Sequence, residues 1–180
     1  MVDVSMIRGL GIMGPNGEFV PTPSATLEFQ TVPVWKNGEP AQSRRVLMGL
    51  YHNGRRAIRT AVIDPESPFT LLPADMAAQC HIDLNRTSPV PLQLSNGKYV
   101  SAIHSVVTWI CLTDDFHTTA FLRSRVSFVM STAWREPVLG REGFLQFFTP
   151  SFQPGKTLLV PKQPFFGIVG HWRFIGGTDS

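Results

Sequence analysis

The stretch AVIDPESPFTLLP, Ala61–Pro73, decides how the rest of the chain is read. It opens as a short apolar strand, stops on Asp64-Pro65-Glu66, and turns apolar again before Pro73. A carboxylate at the tip of a buried strand is either a turn former, since Asp-Pro starts turns, or one member of a catalytic site. Ahead of it, RVLMGLY and RRAIRTAVI flank His52-Asn53-Gly54, which reads as two strands with a glycine at the turn. Behind it, ADMAAQC is alanine-rich and follows Pro73, a residue suited to a first helical turn, so a short helix is expected there.

Farther out, PVPLQLSNGKYVSAIHSVVTWICL (89–112) reads as a long hairpin with Ser95, Asn96 and Gly97 at its tip. Asn-Gly between alternating apolar residues is a strong short-range hairpin signal. TTAFLRSRVSFVM (118–130) reads as one or two strands, and VLGREGFLQFF (138–148) as a strand end, a glycine and a short amphipathic helix. Phe144, Leu145, Phe147 and Phe148 on that helix are expected to be core or dimer contacts. ATLEFQTVPVW (25–35) alternates as a half-buried strand does, and KTLLVP and FFGIV supply further strands. The organisation is an extended N-terminal arm over 1–24, a β domain over 25–150, and C-terminal strands with a tail over 151–180.

Composition agrees with a turn-rich β protein. The 180 residues include 15 Gly and 15 Pro, and 43% are hydrophobic, enough for a sizeable core. Charged residues make up 16% of the chain, below the roughly 25% of ordinary soluble domains, which leaves surface for a partner. The net charge of +3 is not that of a dedicated nucleic-acid binder. One dense basic cluster, Arg44, Arg45, Arg55, Arg56 and Arg59, surrounds the first hairpin and marks either solvated edge charges or a patch for an anion. Two cysteines, Cys80 and Cys111, make neither a disulfide framework nor a zinc signature. The five histidines lack metal-ligand spacing, and Asp114, Asp115 and His117 fall in a polar stretch read as a loop, so no metal and no cofactor are expected. No run reads as a signal peptide or a membrane span, and a cytoplasmic location without a membrane partner is the default expectation.

The order of the motifs carries more than any one of them: an apolar strand ending in Asp64, FTLLPADMA, a long Asn-Gly hairpin, then VLGREGFLQFF. In this order the chain resembles the retropepsin-like aspartic proteases, single-domain relatives of pepsin, over about residues 44–150. The resemblance implies a small closed β-barrel and a homodimer. Each chain of such a dimer brings one aspartate to a shared site, where two close carboxylates hold one proton between them. One then acts as general base toward water and the other as general acid. By resemblance Asp64 is that aspartate, and Pro65, Glu66, Ser67, Gly140 and Arg141 occupy the supporting positions.

The departures from the family pattern are chemical. Pro65 stands where the family has a threonine that ties the two loops together, and proline offers neither hydroxyl nor N–H. Glu66 stands where a glycine lets the backbone approach the aspartates. Two copies would gather four carboxylates near one axis, which repel in a partly desolvated site. Pro68 replaces an acidic residue that would pair with Arg141, leaving Glu66 or Glu142 as substitutes. The hairpin tip LSNGK has one glycine and reads as a plain hairpin more than a flexible lid. The leading expectation is therefore a degenerate, non-catalytic domain used for binding or assembly, with an extended peptide as one possible ligand. The alternative is an active aspartic endopeptidase built from the Asp64 of two chains. A basic-patch binding module is the third reading.

Overall fold

The computed structural model describes residues 11–13, 19–21, 27–36, 38–41, 43–113, 119–162 and 167–170. The expected loop around Asp115 and His117, most of the N-terminal arm, and the end of the tail lie outside these residues. The described chain is mainly β, with one short helix.

The first hairpin forms where its turn dipeptide stands. Strands β1 (Gly11–Met13), β2 (Phe19–Pro21), β3 (Leu27–Gln30), β4 (Val34–Lys36) and β5 (Glu39–Ala41) precede it, so the N-terminal arm contributes two short strands. Then β6 (Arg45–His52) and β7 (Arg55–Ile63) pair antiparallel from Arg45↔Val62 to His52↔Arg55. The turn needs two left-handed residues, and Asn53 (φ 47°) and Gly54 (φ 80°) supply them. Alternation then sorts the side chains: Val46, Met48 and Leu50 face the core with Ala57, Ala61 and Ile63.

Past the Asp64 loop come β8 (Leu71–Pro73) and α1 (Ala74–Gln79). The helix is the expected one, with Pro73 at its N-cap and Met76 and Ala77 buried. It ends where Cys80 leaves helical geometry and His81 turns left-handed (φ 54°). The long hairpin follows as β9 (Val90–Gln93) and β10 (Tyr99–Thr113), and residues 118–130 form one strand, β11 (Thr119–Val129). Next come β12 (Val138–Leu139), β13 (Phe148–Gln153), β14 (Lys156–Pro161) and β15 (Gly167–Gly170).

The second expected helix is absent. Residues 141–147 form turns instead, closed by Leu145 N–H to Gly140 O (2.8 Å) and Gln146 N–H to Arg141 O (2.8 Å). The reason is Gly143, which sits at φ 91°, outside helical space; a Cβ there would collide with Arg125 O. The apolar residues still find the core: Phe144, Leu145 and Phe148 are buried, and Phe147 packs against them.

Strand pairing over the middle of the chain is ring-like. β6 pairs with β7, β7 with β12 in parallel, β12 with β8, β8 with β11 in parallel, β11 with β10, and β10 returns to β6. The link between β12 and β8 is one residue pair, Val138↔Leu71. Besides β11, β10 serves two neighbours in turn along its other edge, on either side of an irregularity between Ile103 and Val106, where Ser105 takes φ 62°. Its first residues pair with β9, and its last five pair with β6. The large core inside this circuit holds Phe128, Phe144, Phe148, Met48 and Ile63.

Candidate functional site

Asp64 stands at the C-terminal tip of β7. Ala61 and Ile63 face the core, so Val62 and Asp64 alternate onto the opposite face, that of Val138 and Leu71. The next residues form a β-turn: Ser67 N–H donates to Asp64 O (3.2 Å), with Pro65 at the second position, which proline's fixed φ favours. Within it, Glu66 N–H donates to Asp64 Oδ1 (3.0 Å), so the carboxylate closes an Asx turn. Asp64 is half-buried and Glu66 is exposed. The opening ambiguity has a structural answer: whatever else it does, Asp64 is a turn former.

The loop is braced by a segment far away in sequence. Asp64 N–H donates to Leu139 O (3.1 Å), Arg141 N–H to Ser67 O (2.9 Å) and Glu142 N–H to Pro68 O (3.0 Å). Thr70 N–H returns a bond to Glu142 O (2.8 Å), and Phe69 and Glu142 form an isolated parallel bridge. Thr70 is fully buried, and its Oγ1 accepts the N–H of Gly140 (3.1 Å). Ser67, also buried, donates its hydroxyl to Phe69 O (2.8 Å). Gly140 sits where the two segments cross: a Cβ there would lie 2.6 Å from Phe69 C and 2.8 Å from Ser67 O. Only glycine permits that approach.

Of the predicted site residues, Asp64, Pro65, Glu66, Ser67, Gly140 and Arg141 are therefore brought together through the backbone. The Arg141 side chain is exposed and enters no ion pair among the described residues, so neither Glu66 nor Glu142 takes the place of a partner. Thr70, the hydroxyl that ties the two segments, was not anticipated. The only trace of it in the sequence is a polar residue inside FTLLP.

The hairpin tip, Ser95, Asn96 and Gly97, is exposed and tightly turned. Leu94 N–H donates to Lys98 O (2.7 Å), and Lys98 N–H donates to Asn96 Oδ1 (3.0 Å). Behind the tip, Leu92, Leu94 and Val100 join Phe69, Leu71, Trp134 and Val138 in a second apolar cluster. The hairpin is thus packed down on the face that carries Asp64. His104, at the strand irregularity, places its ring edge-on to Phe69 (5.3 Å between centroids) and its Nδ1 2.9 Å from Ser127 Oγ.

The five arginines do not form one patch. Arg44 and Arg45 lie at the end of the hairpin opposite Arg55 and Arg56, eight strand residues or about 25 Å away. Arg45 makes a two-bond pair with Glu136 (2.7 and 3.2 Å), and Arg59 pairs with Asp75 (2.6 Å). The hydrogen bonds to Glu136 hold the Arg45 guanidinium above its ordinary pKa. Arg44 lies 4.7 Å over the ring of Phe152. A shallow hollow of about 300 Å³ between residues 84–89, Ile103 and Met130 shares no lining residue with the Asp64 loop. Among the described residues no group of His, Cys, Asp and Glu could hold a metal, and no helix is long and apolar enough to cross a membrane.

No protein family matches the sequence, and no curated protein or solved structure matches the chain.

Proposed function

We propose that the chain is a degenerate retropepsin-like domain, a closed six-stranded barrel that has kept its loop architecture and serves binding or assembly rather than catalysis. The circuit of pairings through β6, β7, β12, β8, β11 and β10 supports the barrel. One observation carries the functional reading: the Asp64 loop is held by the 139–142 segment, yet its next two residues are a proline without an N–H and an exposed glutamate. A site that pairs two aspartates across an axis gains nothing from a second anion on each chain. The packed hairpin points the same way, since Trp134 and Phe69 occupy the apolar space beneath it. Exposed Val90 and Met130 near the hairpin base and Tyr99 beside its tip supply apolar surface for a homodimer.

The alternative, an active aspartic endopeptidase using one Asp64 from each chain, is favoured by the half-exposed carboxylate fixed in place by Glu66 N–H. Sedimentation equilibrium of the wild type and Asp64→Asn tests the assembly reading. Dimers of equal affinity are expected in both. A wild type that stays monomeric at every concentration would overturn it.

A further inference from the structure

We infer that the chain pairs with a second copy of itself through the outer face of the β9–β10 hairpin, the face turned away from Asp64. The inference rests on the assembly reading proposed above and names its surface. Alternation divides the hairpin: Leu92, Val100 and Ala102 join the apolar cluster on the Asp64 side, so Tyr99, Ser101 and Ile103 lie on the other face with Pro91 and Gln93. Near the tip, Tyr99 is the most exposed large apolar side chain among the described residues, at 64%. Nearer the base, Met130 is also exposed and lies level with Ser101, tied by Met130 N–H to Ser101 O (2.9 Å). The shallow hollow of about 300 Å³ opens on this same face, since Ile103 and Met130 line it with Leu84 and Pro89, and polar Asn85 and Ser88 complete its walls.

One surface thus carries both a protruding ring and a hollow. Along β10 they are set apart by the distance from Tyr99 to Ile103, about 13 Å at strand rise. A two-fold axis lying between two copies and crossing the hairpin near Ser101 brings each Tyr99 over the other copy's hollow. That is the self-complementarity a two-fold interface requires. The hollow matches the ring in kind: apolar walls for its body, and Asn85 and Ser88 for its hydroxyl. Charge is sparse on this face, as in the core of an interface. Lys98 stands beside the tip, and Arg86 is already paired with Asp83 (3.0 Å).

Other occupants fit this face less well. Leu94 N–H donates to Lys98 O, so Val90 and Leu92 turn their backbone groups toward β10, while Pro91 and Gln93 turn theirs outward. Pro91 has no N–H, which blunts the free edge against an added peptide strand. A small ligand would fill the hollow and leave Tyr99 bare. A second copy covers both. The arrangement also bears on the chemistry: with the hairpins back to back, the two Asp64 loops face away from each other. The Asp64 and Glu66 carboxylates of two chains then never meet, and the repulsion expected at a shared axis does not arise.

Sedimentation equilibrium of the full chain as wild type, Tyr99→Ala and Ser88→Trp tests it. Tyr99→Ala removes the protruding ring, and Ser88→Trp fills the hollow. Both positions are exposed, so both variants should melt with wild type; should Ser88→Trp melt early, Thr87→Trp on the same exposed loop replaces it. With each seated ring worth about tenfold, each variant loses two and should dimerise about 100-fold more weakly than wild type. A one-to-one mixture of the two variants keeps one ring seated, and its heterodimer should be only about tenfold weaker than the wild-type dimer. A wild type that stays monomeric at every concentration would overturn this inference and the assembly reading together. A wild-type dimer that either variant leaves intact, or variants that do not rescue each other on mixing, would overturn this inference alone and leave the assembly reading standing.

Discussion

Replacing Gly140 by alanine probes the crossing of the Asp64 loop and its brace. The added Cβ would sit 2.6 Å from Phe69 C and 2.8 Å from Ser67 O, and closer still to Phe69 O. All three are backbone atoms, so no side chain can swing aside. Relief requires the segments to part by about 1 Å, given that carbon prefers non-bonded neighbours at about 3.5 Å or more. That movement stretches Arg141 N–H to Ser67 O, Glu142 N–H to Pro68 O and Gly140 N–H to Thr70 Oγ1, now 2.9–3.1 Å. Each is worth about 1 kcal/mol net, and overpacking adds about 1–3 kcal/mol. A loss of about 4 kcal/mol or more follows, and at about 2–4 °C per kcal/mol for a chain of this size, Tm should fall by roughly 8–16 °C. Urea and thermal melts measure it. Gly54→Ala is the control: φ is 80° but nothing lies within 4 Å, so it should cost only about 1 kcal/mol. A Gly140→Ala protein that melts within a degree or two of wild type would refute the crossing.

Three further outcomes follow from the same contacts. Asp64→Ala should cost about 1 kcal/mol in urea melts through the lost acceptor for Glu66 N–H, whereas Asp64→Asn, which keeps an oxygen there, should cost less. Burial pushes the Cys111 thiol up to about 11 and also raises Cys80. The folded state therefore holds these protons longer than the unfolded state, and stability should be complete below about pH 9 and decline toward about pH 11, by up to about 1.4 kcal/mol per pH unit from Cys111; Cys111→Ala should flatten that decline in melts across this range. A double-mutant cycle on Arg45 and Glu136, whose side chains are each 42% exposed, should give a coupling of about 0.5–1 kcal/mol that shrinks with added salt.

The hairpins were legible because Asn-Gly dipeptides fix them locally: Asn53-Gly54 and Asn96-Gly97 both stand at turns. The helix after Pro73 was legible from alanine content and its cap. The stretch after Arg141 misled because its apolar spacing suits a helix, while Gly143 takes a conformation that spacing does not reveal. The site was half legible. The motifs around Asp64 and Arg141 marked the segments, but the bonds between Ser67 and Arg141, and between Thr70 and Gly140, join residues about seventy positions apart and exist only after parallel strands pair. Charge clustering in sequence failed for a related reason. Strand length carries Arg45 away from Arg55, while register brings Arg56 level with Arg123.

Cleavage of an unfolded protein substrate, followed from about pH 3 to about pH 7 with wild type and Asp64→Asn, bears most directly on whether the Asp64 loop has outlived its chemistry. Protein concentration should be raised across the dimerisation range, because a shared site would appear only there. The expected result is no cleavage by wild type above that of Asp64→Asn at any pH or concentration. Cleavage that grows with concentration and disappears in Asp64→Asn would contradict it.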